Sequence, residues 1–223
     1  MSLSEEVREK QTVCEAYGVN YYSSLLPAKY VASNDQAYYF EVIIGDHNKN
    51  IEVKFGDCIY FLSDDLKQCI LKRGPCSVKS LHCATIIRGF MPSDISASIY
   101  GTTLLPYING CSTKQLIHPP RPGDPTLQYL RIPPNTSEQL HHIHSTARVV
   151  YVYSGKGKSI VGMNDTSVEN ELLPGSICIL NPMCPHHFIT SSESHLEVIP
   201  LHIFSSIDKI EHTHPMASGT HLI

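Results

Sequence analysis

The sequence predicts an all-β fold with minor helical accessories. Short apolar segments are separated by Gly, Pro, Asn and Asp along most of the chain. They recur about every 8 to 12 residues, a spacing typical of an antiparallel sandwich or barrel. The predicted strands are Ala37–Ile44, Asn50–Val53, Cys58–Leu62, Leu127–Ile132, Arg148–Tyr153, Ser176–Leu180 and Leu196–Phe204.

Helical periodicity is weak except in two stretches. We expect one helix over Ser4–Ala16 and a second helical stretch around Ser93–Leu105.

The length of 223 residues suits one large or two small domains, and 42% hydrophobic residues provide enough material for a core. A polar segment rich in Pro and Gly, Gly110–Pro125, interrupts the strand pattern. We therefore predict a first barrel over residues 1–110, a linker over 111–125, and a second barrel with a C-terminal tail over 126–223.

The two halves contain a faint internal repeat. In each, a strand runs into a glycine that is followed by an apolar strand, a turn and another apolar strand. The two glycines, Gly56 and Gly175, are 119 residues apart (175 − 56), about the length of one small domain. This similarity favours duplication of one supersecondary unit.

Charge and cysteine content exclude several classes of function. The net charge is −4 and the Lys and Arg residues are scattered, so we expect neither a nucleic-acid partner nor a membrane partner. None of the eight cysteines forms a C-x-x-C pair, and most lie in apolar runs, as reduced thiols do. The charged first residues lack an apolar stretch, so we expect no secretory leader, and no apolar run reaches about 18 residues. We expect a cytoplasmic protein.

Six of the thirteen histidines lie close together in the sequence. They form one cluster of three, a second cluster of two and one nearby position: His141, His142 and His144, then His186 and His187, then His195. Side chains alternate along an extended segment, so His142 and His144 share one face while His141 and Ile143 share the other. Neutral imidazole is a common ligand of iron, zinc, copper and nickel, and a third ligand from another strand would complete a site. The alternative is that these histidines are ordinary core or surface residues.

These histidines stand in a pattern that resembles the cupin superfamily. The first cupin motif is H-x-H, three or four residues, Glu, six residues, Gly, and here His142-Ile143-His144 is followed by Arg148 and Gly155. The second is Gly, five residues, P-x-G, two residues, His. In this chain it comprises Gly175, Asn181-Pro182-Met183 and His186.

The resemblance covers about residues 125–205 and implies two tandem cupin barrels, also called jelly rolls or double-stranded β-helices. It implies His142, His144 and His186 as metal ligands. His141 and His187 fall outside the motif, so we expect them behind the ligands or outside the barrel.

Two of the departures from the pattern matter. Met183 replaces the turn glycine, which indicates only a different turn. Arg148 replaces the usual glutamate, and a guanidinium has no lone pair for a metal. Arg148 could bind an anionic substrate beside a three-histidine metal, it could weaken the metal site in a barrel that merely binds a small molecule, or it could turn aside to pair with a carboxylate such as Glu138.

The equivalent positions in the first half carry no good metal ligand. They hold Ala32, Asn34, Tyr38 and Lys67. The first half resembles a degenerate cupin barrel without metal, for which we expect a structural or dimer-forming role. We therefore expect a homodimer.

Two other candidates are weaker. The tail pair His212 and His214 lies in a polar terminal segment, so we expect it to be solvated. Cys184, two residues before His186, is expected to be a buried apolar filler.

The resemblance implies two functions. The first is a metal-dependent cupin oxidoreductase, dioxygenase-like, in which Fe(II), or else Ni, Mn or Zn, is bound by the three histidines. Arg148 would then be the catalytic residue that holds the carboxylate of a small anionic substrate. The alternative is a non-enzymatic bicupin that binds or senses a small ligand.

Overall fold

A computed structural model describes residues 3–32, 40–45, 50–100, 104–120, 123–163 and 166–203. Within them, one α-helix, α1 (Leu3–Tyr17), confirms the helix predicted near the start, and a short 3-10 turn covers Ile108–Gly110. The strands are β1 (Val19–Ser23), β2 (Ala28–Val31), β3 (Phe40–Ile44), β4 (Ile51–Val53), β5 (Asp57–Leu62), β6 (Gln68–Arg73), β7 (Cys76–Val78), β8 (Cys83–Arg88), β9 (Ile95–Ser98), β10 (Leu105–Pro106), β11 (Ser112–Ile117), β12 (Thr126–Ile132), β13 (Ala147–Gly155), β14 (Gly157–Val161), β15 (Val168–Leu172), β16 (Ser176–Leu180), β17 (His186–Ile189) and β18 (Leu196–Ile203).

The chain divides into two compact units. The histidine unit comprises Met1–Ser23, Thr102–Lys114 and Gln128–Leu201, and the second unit comprises Ser24–Gly101, Gln115–Leu127 and His202–Ile223. These boundaries differ from the predicted ones at 110 and 126, for two reasons. Strand β1 pairs antiparallel with β16, which places the N-terminus in the histidine unit, and strand β11 lies inside the predicted linker.

The histidine unit is built on two sheets. The strand order is β1-β16-β13-β18-β12-β11-β10 in the large sheet and β15-β14-β17 in the small one. Apolar side chains of these strands form a core that includes Val150, Val152, Leu172, Leu180 and Leu196, all almost fully buried. Strand β13 therefore has a fixed position, with Arg148 paired to Leu180 of β16.

The second unit has the same kind of layout. Its sheets have the strand orders β2-β3-β8-β5-β6-β9 and β4-β7. The two glycines of the internal repeat both adopt the left-handed backbone conformation that glycine favours, with φ of 93° at Gly56 and 85° at Gly175. The same special turn thus precedes β5 and β16.

The helical stretch predicted around 93–105 is wrong for its described part. Ile95–Ser98 is instead strand β9, which pairs with β6 and alternates between half-buried and exposed side chains. Pairing to a sheet edge outweighs a weak local helical pattern.

The prediction of an all-β jelly-roll fold with minor helical accessories is confirmed. In the part of the chain that the structure describes, no helix has the length and hydropathy needed to cross a membrane.

Candidate metal centre

Two chain segments of the histidine unit run antiparallel and bring the two histidine clusters together. His142 donates its backbone N–H to the carbonyl of His186 at 3.1 Å, and His186 donates to the carbonyl of His142 at 2.9 Å. A second bridge joins Ser137 to Ile189. This pairing fixes His142 directly opposite His186, at the start of β17.

His144 is held by a separate backbone contact. The N–H of Met183 donates to the carbonyl oxygen of His144 at 2.7 Å. Met183 occupies the left-handed region, with φ of 64°. The turn that precedes His186 is therefore attached to the segment that carries His144.

The imidazole rings of His142, His144 and His186 converge as predicted. Their centroids are 4.5 Å apart for His142 and His144, 4.8 Å for His142 and His186, and 5.4 Å for His144 and His186. One potential ligand nitrogen from each ring lies within 4.8 Å of the other two. The arrangement gathers three donor atoms around one common region.

The hydrogen bonds of two of these rings leave the inward-facing nitrogen free to coordinate. Nδ1 of His142 lies 2.8 Å from the carbonyl of Leu140, and Nδ1 of His186 lies 2.8 Å from the carbonyl of Cys184. A carbonyl only accepts, so each Nδ1 carries the proton. In the neutral ring, Nε2 then carries a lone pair, and both Nε2 atoms are buried without a hydrogen-bond partner. The site fits a divalent transition metal.

Burial keeps these imidazoles neutral. Desolvation lowers the pKa of His186 to about 3, with a further lowering from the charge of Arg148. Desolvation also lowers the pKa of His142, where the hydrogen bond to Leu140 opposes it and the charge of Arg148 adds to it. Neutral imidazole is the form that binds metal.

Arg148 lies beside the centre. Its side chain lies on the same face of β13 as the core residues Val150 and Val152, because side chains alternate along a strand. Its charge lowers the pKa of both His142 and His186. Burial lowers the pKa of Arg148 to about 10, while the charge of Glu138 raises it, so the guanidinium is positive at neutral pH. Its Nε is buried without a hydrogen bond. A cation directed toward this site favours an anion as its partner.

Glu138 is the acidic residue of this region, and its carboxyl is only 3% exposed. Burial raises its pKa to about 7, against the opposing effects of Arg148 and of a backbone hydrogen bond from Phe188. Its Oε1 lies 3.9 Å from Nε2 of His142. The sequence indicates Glu138 only as a carboxylate partner for Arg148. No local pattern points to it as part of the site, because residues 138–141 form bends and Leu140 is exposed.

His141 and His187 lie away from the three-ring cluster and contact each other. Their Nδ1 atoms are 2.7 Å apart, and Nε2 of His141 lies 2.5 Å from the carbonyl of Gly162. They line a cavity of about 580 Å³ with an otherwise largely apolar wall.

Of the remaining candidates, those in the described part of the chain form no site. The Cys184 side chain is 2% exposed, and burial raises its pKa to about 12, as expected of an apolar filler. Lys67 forms a salt bridge with Asp65, and Ala32 is buried. The tail histidines His212 and His214, and Asn34 and Tyr38 of the first half, lie outside the described residues.

The segment that carries these histidines has a recognisable family signature. Residues 128–204 match the family model of the cupin domain. No second family match supports a cupin assignment of the first half. None of the curated proteins matches this chain.

Solved structures with cupin-type folds resemble this chain at low identity. The Ylba protein from E. coli has a TM-score of 0.55 at 10% identity over 82% of this chain and 90% of its own. The glyoxylate-induced protein from Pseudomonas aeruginosa has a TM-score of 0.54 at 9% identity over 83% and 89%. HEPD from Streptomyces albus, with Fe(II) and 2-hydroxyethylphosphonate bound, has a TM-score of 0.54 at 10% identity over 93% and 80%. At these identities the resemblance shows the fold.

Proposed function

We propose that the cupin domain binds one divalent transition metal, Fe(II) first and Ni, Mn or Zn as alternatives, on His142, His144 and His186. With the metal bound, it would act as a dioxygenase-like oxidoreductase on a small anionic substrate. The observation that supports this is the convergence of one buried and two half-buried imidazoles, two of them with Nε2 atoms that have no hydrogen-bond partner, beside a charged arginine. A metal on three histidines has open positions for a substrate and dioxygen.

Arg148 would hold the acid group of the substrate. Its side chain lies on the face of β13 that also carries the core residues Val150 and Val152, so we expect an anion bound to it to lie beside the three imidazoles. A guanidinium binds a carboxylate or phosphonate through two parallel hydrogen bonds, which also orients the substrate. The structural neighbour HEPD was solved with Fe(II) and an anionic substrate, which agrees with this class of chemistry.

Metal analysis tests the proposal directly. Wild-type protein loaded anaerobically with Fe(II) and desalted should contain about one iron per chain by emission spectroscopy. The His186→Ala variant should contain almost none, whereas the matched control His187→Ala should keep it. Oxygen uptake is then measured with aromatic, thiol and diketone acids. A wild-type protein that retains no iron, nickel, manganese or zinc would contradict the proposal.

A non-enzymatic role is the second candidate, because a positive arginine stands in the centre where the family pattern has a glutamate. A cation there opposes metal binding and favours simple capture of an anion. This candidate predicts a thermal shift with a carboxylic acid and no oxygen uptake in the metal-loaded protein. The metal-dependent oxidoreductase instead predicts both a thermal shift with a carboxylic acid and oxygen uptake.

For the second unit we propose a degenerate cupin barrel with a structural role in a homodimer. The matching turns at Gly56 and Gly175 support the duplication. Light scattering behind size-exclusion chromatography tests the oligomeric state, and a mass of one chain would exclude the dimer.

A further inference from the structure

Glu138 is a buried carboxylate held against the three-histidine centre. Its backbone N–H donates to the carbonyl of Phe188 at 3.0 Å, on the strand that begins with His186. Thr136, two residues earlier, is joined to Thr190 of the same segment by three hydrogen bonds, of 2.9, 3.0 and 3.2 Å. The backbone around Glu138 is therefore held in place, and Glu138 itself is 3% exposed.

The carboxylate faces a nitrogen lone pair. Nδ1 of His142 donates to Leu140, so Nε2 of His142 carries no proton, and Oε1 of Glu138 lies 3.9 Å from it. This distance is too long for a hydrogen bond. Two electron-rich atoms that face each other in a buried site are repulsive unless a metal cation or a proton lies between them.

The separation suits two ligands of one ion. With metal–ligand distances of about 2.1 Å, two ligand atoms are about 3.0 Å apart when adjacent and about 4.2 Å apart when opposite. The 3.9 Å between Oε1 of Glu138 and Nε2 of His142 falls between these two values and is closer to the longer one.

Charge leads to the same assignment. A divalent ion beside the Arg148 guanidinium places three positive charges in a buried site, which needs a compensating anion. Glu138 is the carboxylate whose charge acts on Arg148. A carboxylate bound to the ion reduces the net charge to two, which leaves the site attractive to an anionic substrate.

We propose that Glu138 is a carboxylate ligand of the metal centre. It precedes His142 in the sequence, whereas Arg148 occupies the position after His144 at which the cupin motif has its glutamate. This inference rests on the proposed metal site. The competing role for Glu138 is to orient Arg148 by charge without contacting the ion.

Cobalt distinguishes these roles, because its visible bands report the ligand set as well as occupancy. We compare wild-type protein, Glu138→Gln, His186→Ala and the control Glu197→Gln, which removes another partly buried carboxylate of the same unit, one that contacts Arg131 and His195. For each, the dissociation constant for Co(II) is measured by chelator competition and the d–d spectrum is recorded. We expect Glu138→Gln to bind about 10- to 100-fold more weakly with shifted bands, and Glu197→Gln to match wild type.

The outcomes separate the two proposals. If wild-type protein binds no Co(II), both fail. If His186→Ala loses Co(II) while Glu138→Gln keeps the wild-type affinity and bands, only the role of Glu138 fails. Weaker binding with unchanged bands also overturns it, since Glu138 would then act through charge alone. If Glu138→Gln does not fold, the infrared difference between Co(II)-loaded and metal-free wild-type protein decides: a shifted carboxylate band supports the ligand and no shift overturns it.

Discussion

The backbone N–H of Met183 donates a 2.7 Å hydrogen bond to the carbonyl oxygen of His144. It joins the turn before His186 to the segment that carries the other two histidines. Met183 adopts φ of 64° to make this turn, a conformation that is costly for a residue with a Cβ. The geometry of the centre is thus maintained by a strained backbone position at its edge.

Replacing Met183 by glycine should stabilise the protein. Glycine adopts the left-handed conformation at little cost, and this gain exceeds the entropy that glycine loses on folding, so we expect about 0.5–1 kcal/mol. Urea denaturation measures the change. The control is Met163→Gly. Met163 is also exposed, but its φ is not positive, so this substitution should not increase stability. A lower midpoint for Met183→Gly than for wild type would show that the turn is not strained.

Removing the charge of Arg148 should separate metal binding from anion binding. In Arg148→Gln, repulsion between the guanidinium and a bound cation disappears, so affinity for Co(II) should rise by about tenfold, or 1.4 kcal/mol. Affinity for a small carboxylic acid, followed by calorimetry on the metal-loaded protein, should fall. The control is Arg131→Gln, whose guanidinium pairs with Glu197 and is half exposed. Equal acid affinity in Arg148→Gln and wild type would remove Arg148 from the substrate site.

Much of the site was predictable because its signal is local. Side-chain alternation predicted that His142 and His144 share a face, and their rings lie 4.5 Å apart. The resemblance to the cupin motifs supplied His186, which strand pairing places opposite His142. Glu138 carries no comparable motif. Its role depends on burial and on its distance from His142, which only the folded chain reveals.

The domain boundaries were harder to predict, because they depend on long-range pairing. Strand β1 pairs with β16, from Val19 opposite Leu180 to Ser23 opposite Ser176. No local pattern in the first 23 residues indicates a partner more than 150 residues away. Strand β11 was likewise not predicted, because the segment that contains it is rich in Pro and Gly and therefore has the composition of a linker.

Native thiol labelling should be selective and slow. Cys14 and Cys76 are partly exposed, whereas the other six cysteines are buried. Desolvation raises the pKa of both partly exposed thiols, so little thiolate forms at pH 7. With iodoacetamide we expect these two to react first, at rates that rise up to and above pH 9, as measured by peptide mass spectrometry. Early labelling of Cys83, whose burial raises its pKa to about 12, would contradict the packing of the second unit.

Glu41 should make the stability of the second unit depend on pH. Its carboxyl is 8% exposed and contacts Nζ of Lys29 and Nη2 of Arg88, each at 2.7 Å. Burial raises its pKa, but the hydrogen bonds and charges of Lys29 and Arg88 outweigh this effect and lower it. Because the folded pKa lies below the unfolded one, Glu41 stabilises the fold at pH values above its unfolded pKa. This contribution is lost as the pH falls through the folded pKa.

The variant Glu41→Gln should therefore unfold more easily than wild type at pH 7, by about 1–2 kcal/mol, because two charged hydrogen bonds are lost. The difference should shrink as the pH falls through the folded pKa of Glu41, which lies below the ordinary value of a glutamate, because the wild-type carboxyl is then itself protonated. Urea denaturation at several pH values measures it. The matched control is Glu171→Gln, whose half-exposed carboxylate pairs with Lys156 in water and should leave the midpoint unchanged. A difference between Glu41→Gln and wild type that stays constant from pH 7 to pH 3 would mean that Glu41 acts through packing, with no contribution from its charge.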